Sequence, residues 1–320
     1  MARVFVTSPL PGFEGLAERL EGHELVVWEG AGPCPRATIL EEARRSQALI
    51  TLLSDPIDAE VVTAGPQVVA NYAVGFDNID LEAARGAGVV VTNTPDVLTD
   101  ATADLAFSLL LAAARRLPES ERFLREGRFE GWGPSLYLGK PVWGRRLAVV
   151  GAGRIGQAML ARGRGFGMEL AYVGRRPLDP AREAALGARK MPLDEALAWA
   201  DFVSLHTPLT PETRHLIDRR RLELMGPGAV LVNTARGPVI DEAALAAALS
   251  AEQLFGAGLD VFEAEPAVHP GLLESPRAVL TPHTGSATDV ARAQMAEICG
   301  ESVRAVLAGE TPRHVVVDGR

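Results

Sequence analysis

Only two of the 320 residues are cysteine, Cys34 and Cys299, far apart and in no metal-binding or redox spacing, which excludes a disulfide framework and a cysteine-ligated metal centre. The six histidines show no paired ligand spacing either, so no metal is expected. No stretch approaches 18 uninterrupted apolar residues, which argues against a membrane span. The opening run Met1-Ala-Arg-Val-Phe-Val-Thr is too short for a signal peptide and reads as a first strand; a soluble, cytoplasmic protein is expected. Positive charge is also short. Lys and Arg total 32 against 41 Asp and Glu, and a net charge of −9 argues against a nucleic-acid partner, which would need a basic face. Lysine itself is almost missing: only Lys140 and Lys190 occur among the 32 basic residues, leaving 30 arginines. That imbalance reads first as compositional bias and only secondarily as thermal adaptation.

What is present is enough apolar residue, 47%, for an ordinary packed interior, and enough chain for about two domains. Apolar runs of four to six residues alternate with amphipathic stretches of ten or more, the pattern of βα units around a mostly parallel sheet. The first third predicts strands near 4–7, 25–28, 48–53, 68–72 and 89–92, with helices near 15–20, 36–45, 59–64 and 81–85. An Ala/Leu-rich helix follows over 100–116, ended or kinked at Pro118, and then a Gly-rich loop over 127–142 that contains Trp132. A second alternating series predicts strands near 146–150, 170–173, 202–205, 229–233, 257–261 and 279–281. The last helix, about 287–307, is expected to open on Ser286-x-x-Asp289.

The strongest local motif is Gly151-Ala152-Gly153-Arg154-Ile155-Gly156, which directly follows an apolar strand and directly precedes a helical pattern. Gly151 permits the tight turn, Gly153 lets the backbone approach a pyrophosphate, and Gly156 lets helix and strand pack closely. The free N–H groups and dipole of that helix start favour phosphate, so a dinucleotide cofactor is expected. An acidic residue at the end of the second strand would accept from the ribose 2′-hydroxyl of NAD(H). Gly174-Arg175-Arg176 stands there instead. With no carboxylate to repel a 2′-phosphate and two guanidiniums to pair with it, NADP(H) is favoured over NAD(H).

Arg236, Glu265 and His283 each follow a predicted strand of the second series. Catalytic groups of open α/β sheets gather at strand carboxyl ends, so the three can converge although they are distant in sequence.

The segments "LLSD" (52–55), "VGFDNIDL" (74–81), "TPDVLTDATADLA" (94–106), "GRIGQA" (153–158), "VGRRP" (173–177), "VNTARGPVID" (232–241), "GLDVFEAEP" (258–266) and "TPHTGSAT" (281–288) run in an order that resembles the D-isomer-specific 2-hydroxy acid dehydrogenase family, most closely its glyoxylate/hydroxypyruvate reductase branch. The resemblance implies two similar Rossmann-like/flavodoxin-like α/β domains with mostly parallel sheets and a cleft between them. Residues 1–98 plus 287–320 would form the substrate-binding domain, and 99–286 the dinucleotide-binding domain with a dimerisation helix and loop at 100–143. It implies reduction of glyoxylate or hydroxypyruvate, or another small 2-oxo acid, by a homodimer. Arg236, Glu265 and His283 would be catalytic, with His283 as general acid, Glu265 orienting its ring, and Arg236 gripping the substrate carboxylate and carbonyl oxygen. Ser54, Val74 and Gly75 would join Arg236 and His283 at the substrate, and Trp132 would reach it from the partner subunit or simply be buried at the dimer contact. Thr102, Thr207, Thr213, Thr234, Ala235, Asp260 and Gly285 would join the glycine motif and Gly174–Arg176 around the cofactor. Two further readings fit the same residues: a dehydrogenase for another D-2-hydroxy acid such as 3-phosphoglycerate, and a dinucleotide-sensing binding protein of the corepressor kind.

Overall fold

The computed structural model describes every residue from Met1 to Arg320. The chain forms two compact units, one made of Met1–Leu98 with Ser286–Arg320, the other of Thr99–Gly285. The first unit opens with β1 (Arg3–Val6), α1 (Phe13–Arg19), β2 (Glu24–Val27), α2 (Arg36–Ala43), β3 (Ala48–Thr51), α3 (Ala59–Val62), β4 (Val68–Asn71), α4 (Leu81–Ala87) and β5 (Val90–Thr92). β3 and β4 are buried along their whole length. That is why they read as unbroken apolar runs rather than alternating ones: a parallel strand covered on both faces needs no polar side.

The second unit begins with α5 (Thr99–Ala114) and α6 (Leu117–Arg125). The boundary between these helices corrects the expectation at Pro118. The break lies at Arg116, whose φ of 54° is left-handed, and Pro118 instead sits in the first turn of α6, where its missing N–H costs nothing. The rest follows as β6 (Arg146–Val150), α7 (Arg154–Gly165), β7 (Glu169–Val173), α8 (Pro180–Leu186), β8 (Ala188–Lys190), α9 (Leu193–Trp199), β9 (Phe202–Leu205), α10 (Arg219–Leu224), β10 (Val230–Asn233), α11 (Glu242–Ser250), β11 (Gly256–Leu259), α12 (Pro270–Leu273) and β12 (Ala278–Leu280). The seven strands are all parallel, in the order β12-β11-β10-β9-β6-β7-β8. The chain winds outward from β6 to β8, then crosses back and winds the other way from β9. The strand order therefore reverses between β6 and β9, the place in an open α/β sheet where ligands bind. α5 lies close on β11: a Cβ on Gly258 would come within 2.8 Å of Leu109 Cβ.

The chain then returns to the first unit as α13 (Asp289–Leu307) and β13 (Val315–Val317). Its six-stranded sheet has the order β13-β5-β4-β3-β1-β2, parallel except for β13, which pairs antiparallel with β5. The start of α13 differs from the expected cap. Thr288, not Ser286, is the N-cap, its hydroxyl accepting the Ala291 N–H at 3.2 Å. Thr288 has the extended backbone that lets a side chain reach the third helical amide. Both cysteines are buried and free, and burial pushes the Cys34 thiol up to about 11 and that of Cys299 higher still. No helix is long and apolar enough to cross a membrane.

Candidate active site

Because the second sheet is wholly parallel, the carboxyl ends of its strands share one edge, and the residues expected at the site in this unit lie along it. His283 follows β12, Asp260 and Glu265 follow β11, Thr234 and Arg236 follow β10, Thr207 follows β9, Gly151 follows β6, and Gly174 to Arg176 follow β7. Strands are spaced about 4.8 Å apart, so five steps from β12 to β7 span roughly 24 Å. The possible acid/base groups lie toward one end of that row, the arginine pair toward the other, and the glycine turn between.

At the glycine turn, Gly151 has a φ of +98°, and a Cβ there would stand 2.4 Å from the His206 carbonyl oxygen. A Cβ on Gly156 would stand 2.0 Å from the Gly151 oxygen, so any side chain would push α7 off the turn. Gly153 differs, since nothing lies within 4 Å of the same construction. It is the N-cap of α7, no side chain caps the helix, and Gln157 donates back to its carbonyl at 2.9 Å. The first amides of α7 thus face open space, as a phosphate cradle requires. Behind the turn, His206 Nε2 is 2.8 Å from Ser204 Oγ. Part of His206 reaches the surface, yet its ring is enclosed enough for desolvation to hold it down at about 3, as a neutral structural group.

Three more features fit a bound dinucleotide. Thr234 Oγ1 is buried without a hydrogen-bond partner, and a native protein seldom leaves such a group unmet. Arg175 and Arg176 are exposed at the end of β7. Thr102 is 5% exposed and packs beside Gly285, where a Cβ would lie 3.3 Å from the threonine methyl. Two expected contacts have their polar groups engaged within the chain. Thr213 Oγ1 accepts the Thr210 N–H and donates to the Pro208 carbonyl, each at 2.7 Å, closing its own turn. Asp260, buried at 1% exposure, accepts from Thr281 Oγ1 at 2.6 Å and from the backbone N–H groups of Thr284 and Gly285 at 2.7 and 2.8 Å. Its carboxylate thereby shapes the loop that carries His283.

His283 has a φ of 52°, an uncommon conformation for a residue with a side chain, and its N–H donates to the Asp260 carbonyl at 2.8 Å. Its Nδ1 stands 2.9 Å from Glu265 Oε2, while Glu265 Oε1 accepts the Phe262 N–H at 2.9 Å. Burial pushes the Glu265 carboxyl up, but hydrogen bonds from His283 and Phe262 and the charges of His283 and Arg236 outweigh it, holding the group below the usual glutamate range. Glu265 is therefore ionised at neutral pH. Arg236 is half-buried on an extended residue, with Nη1 donating to the Ala235 carbonyl at 2.8 Å. Asn233, fully buried and not among the expected site residues, steers it: Nδ2 donates to the Arg236 carbonyl at 2.9 Å and Oδ1 accepts the Ala235 N–H at 3.0 Å. Its polarity at the end of an otherwise apolar strand was the signal.

The remaining expected residues lie in the first unit or on the arm after α6. Ser54 is exposed after β3, and Val74 and Gly75 follow β4. Asn71 and Asn93 donate to the Gly75 and Val74 carbonyls at 2.7 Å each, while the two amides have no partner in the chain. Trp132 is 84% exposed. A separate cavity of about 420 Å³ in this unit, lined by Arg19, Ser302, Arg304, Thr311, Arg313 and His314, contains none of these residues.

A model of the D-isomer specific 2-hydroxyacid dehydrogenase NAD binding domain matches residues 107–285. Over 98% of its length the chain is 49% identical to the glyoxylate reductase of Thermococcus onnurineus, covering 95% of that protein. The chain belongs to the D-isomer specific 2-hydroxyacid dehydrogenase family. Among solved structures of similar proteins, one from Thermus thermophilus is 47% identical with a TM-score of 0.92, over 98% of this chain and 100% of that one. An NADPH-dependent glyoxylate/hydroxypyruvate reductase of Sinorhizobium meliloti, solved with NADP and malonate, is 35% identical with a TM-score of 0.87, over 99% of this chain and 97% of that one. Within the family, then, this dehydrogenase fold is shared with glyoxylate reductases along nearly its full length.

Proposed function

We propose that this protein reduces glyoxylate, hydroxypyruvate or both to glycolate and D-glycerate with a nicotinamide dinucleotide. The observation that carries the reading is the His283–Glu265 pair, held at 2.9 Å within the field of Arg236 on the strand-end edge that also bears the glycine turn. Glyoxylate reductases among its relatives support the substrate class. The cofactor supplies hydride; the protein supplies the proton, the anchoring charge and the orientation.

Glu265 fixes the proton of His283 on Nδ1, which leaves a protonated ring free to donate from Nε2 to the substrate oxygen as negative charge develops there. Arg236 holds the substrate carboxylate by its planar fork and polarises the carbonyl beside it. The partnerless amides of Val74 and Gly75 are suited to a carboxylate oxygen, and Ser54 is assigned to substrate as well. The glycine turn and the first amides of α7 hold the pyrophosphate, and Thr102, Thr207, Thr213, Thr234, Ala235, Asp260 and Gly285 are assigned to the same cofactor. Arg175 and Arg176 select the 2′-phosphate of NADP(H). A dimer would cover the exposed apolar side chains of the arm, and Trp132 would then meet the partner subunit. A cytoplasmic location suits the free thiols.

The test is a panel of glyoxylate, hydroxypyruvate, pyruvate and 3-phosphohydroxypyruvate, each with NADPH and with NADH. Highest kcat/KM is expected for glyoxylate or hydroxypyruvate with NADPH. A higher value with NADH would overturn the cofactor preference, and consumption of neither with any 2-oxo acid would overturn the activity and favour a dinucleotide-sensing role.

A further inference from the structure

A second set of acidic and imidazole side chains, outside the triad, ties together the loops that carry it. Glu242 opens α11 and is only 6% exposed. Burial pushes its carboxyl up, and the Glu263 charge adds to that, while hydrogen bonds from the backbone N–H groups of Glu263 and His269 and the charge of His269 act in the other direction. Glu263 and His269 bracket Glu265, in a turn closed by the Ala267 N–H donating to the Ala264 carbonyl at 2.9 Å. The carboxylate of Glu263 points back: Oε2 accepts the Glu242 N–H at 3.4 Å, and Oε1 is 2.6 Å from His215 Nε2. His215 in turn donates its backbone N–H to the Pro238 carbonyl at 2.8 Å, in the loop that carries Arg236. The two loops also touch directly, since a Cβ on Gly237 would fall 1.9 Å from the Phe262 carbonyl carbon and 2.4 Å from the Glu263 nitrogen. His215 has a φ of 49°, where glycine would sit without strain, so its presence there points to use of the ring.

We propose that Glu242 is a positioning residue for the reduction, acting through Glu263 and His215 to hold the loop of Glu265 in register with the loop of Arg236. It rests on the functional reading above. Glu242 need touch neither substrate nor cofactor. Its buried carboxylate sits between the ends of the Glu265 turn, so the Glu265–His283 hydrogen bond inherits its geometry from α11. An error of about 1 Å in such a geometry is worth about 100-fold in rate.

The test uses full-length enzyme carrying Glu242→Ala, Glu242→Gln or His215→Gly, each also in a Glu265→Gln background. The readouts are kcat and KM for the best 2-oxo acid, NADPH affinity by direct titration, and thermal stability. Glu242→Ala is expected to lower kcat roughly 10- to 100-fold, as loss of an orienting outer partner does, with NADPH affinity unchanged. Glu242→Gln, which keeps an oxygen to accept the Glu263 N–H, should recover much of that loss. In the Glu265→Gln background the effect of Glu242→Ala should largely vanish, because the residue acts through the one already altered. His215→Gly suits the backbone it replaces, so it should stay folded while KM for the oxo acid rises. If Glu242→Ala does not fold, His215→Gly decides. Equal losses of kcat in both backgrounds, a parallel loss of NADPH affinity, or wild-type kinetics in folded Glu242→Ala and His215→Gly would overturn the positioning role. Failure of wild-type enzyme to reduce any 2-oxo acid would instead overturn the functional reading on which it rests.

Discussion

His283 and Glu265 divide one task between a proton donor and the carboxylate that orients it, and the carboxylate carries a pH signature of its own. Glu265 lies below the usual glutamate range, so the stability and orientation contributed by its charge are fully present above its unfolded value of about 4.3 and are lost only as pH falls through the lowered folded value. The acid limb of kcat for reduction that belongs to Glu265 should accordingly fall below pH ~4.3. His283→Ala should lower kcat by about 100- to 10,000-fold, the range for removing a general acid, with much less effect on cofactor affinity. Wild-type turnover in that variant would falsify the proton-donor assignment. At the far end of the strand row, replacing Arg175 and Arg176 by alanine should raise KM for NADPH by at least about tenfold, equivalent to losing one charge-assisted hydrogen bond, and leave KM for NADH nearly unchanged. Equal increases for both cofactors would mean that the pair does not read the 2′-phosphate.

The strand-to-helix turn from β6 to α7 gives a contrast between two glycines of one motif. Gly156→Ala forces a methyl to within 2.0 Å of a backbone oxygen and should cost about 1–3 kcal/mol or more of stability, read as a lower Tm. Gly153→Ala meets nothing in the chain and sits at an ordinary φ of −74°, so Tm should hold while dinucleotide affinity falls. A cofactor affinity insensitive to Gly153→Ala would detach that residue from the phosphates. Elements of this kind were readable in the sequence because local chemistry determines them: a buried apolar run, glycines where a backbone approaches, and an open helix start. The break at Arg116 was not readable, since a left-handed arginine carries no compositional mark and Pro118 suggests an end as readily as a beginning. Nor was β13, where Val315-Val316-Val317 gains its strand only by pairing with β5, far away in sequence. Within the site, residue types and strand-end positions marked Arg236, Glu265 and His283. The brace of Glu242, Glu263 and His215 carries no such mark, because each looks like an ordinary surface charge until the loops are folded together.

For the molecule as a whole, exposed apolar side chains are densest on α6 and the arm that follows it. Leu117, Leu124, Phe129, Trp132, Leu136 and Leu138 are all more than 40% exposed within a stretch of about twenty residues. A monomer seldom leaves so much apolar side chain in water, and a symmetric second copy would bury it. Sedimentation is expected to give a dimer, and Leu124→Glu with Leu138→Glu should shift it toward monomer. An unchanged dimer would place the contact elsewhere on the chain. The net charge of −9 takes on a local meaning at the same scale, because Arg154, Arg175, Arg176 and Arg236 are gathered on the edge assigned to two anions.

The return of α13 and β13 to the first unit also sets an order of assembly during synthesis. At about 5–20 residues per second, the ribosome has synthesised every element of the second unit before it makes the helix and edge strand that finish the first. Until then Leu16 lacks the face of α13 against which it packs, where a Cβ on Gly300 would lie 3.0 Å from its methyl, and β5 lacks its outer neighbour. The half of the protein that is made first is therefore completed last, after every element of the dinucleotide-binding half has been synthesised.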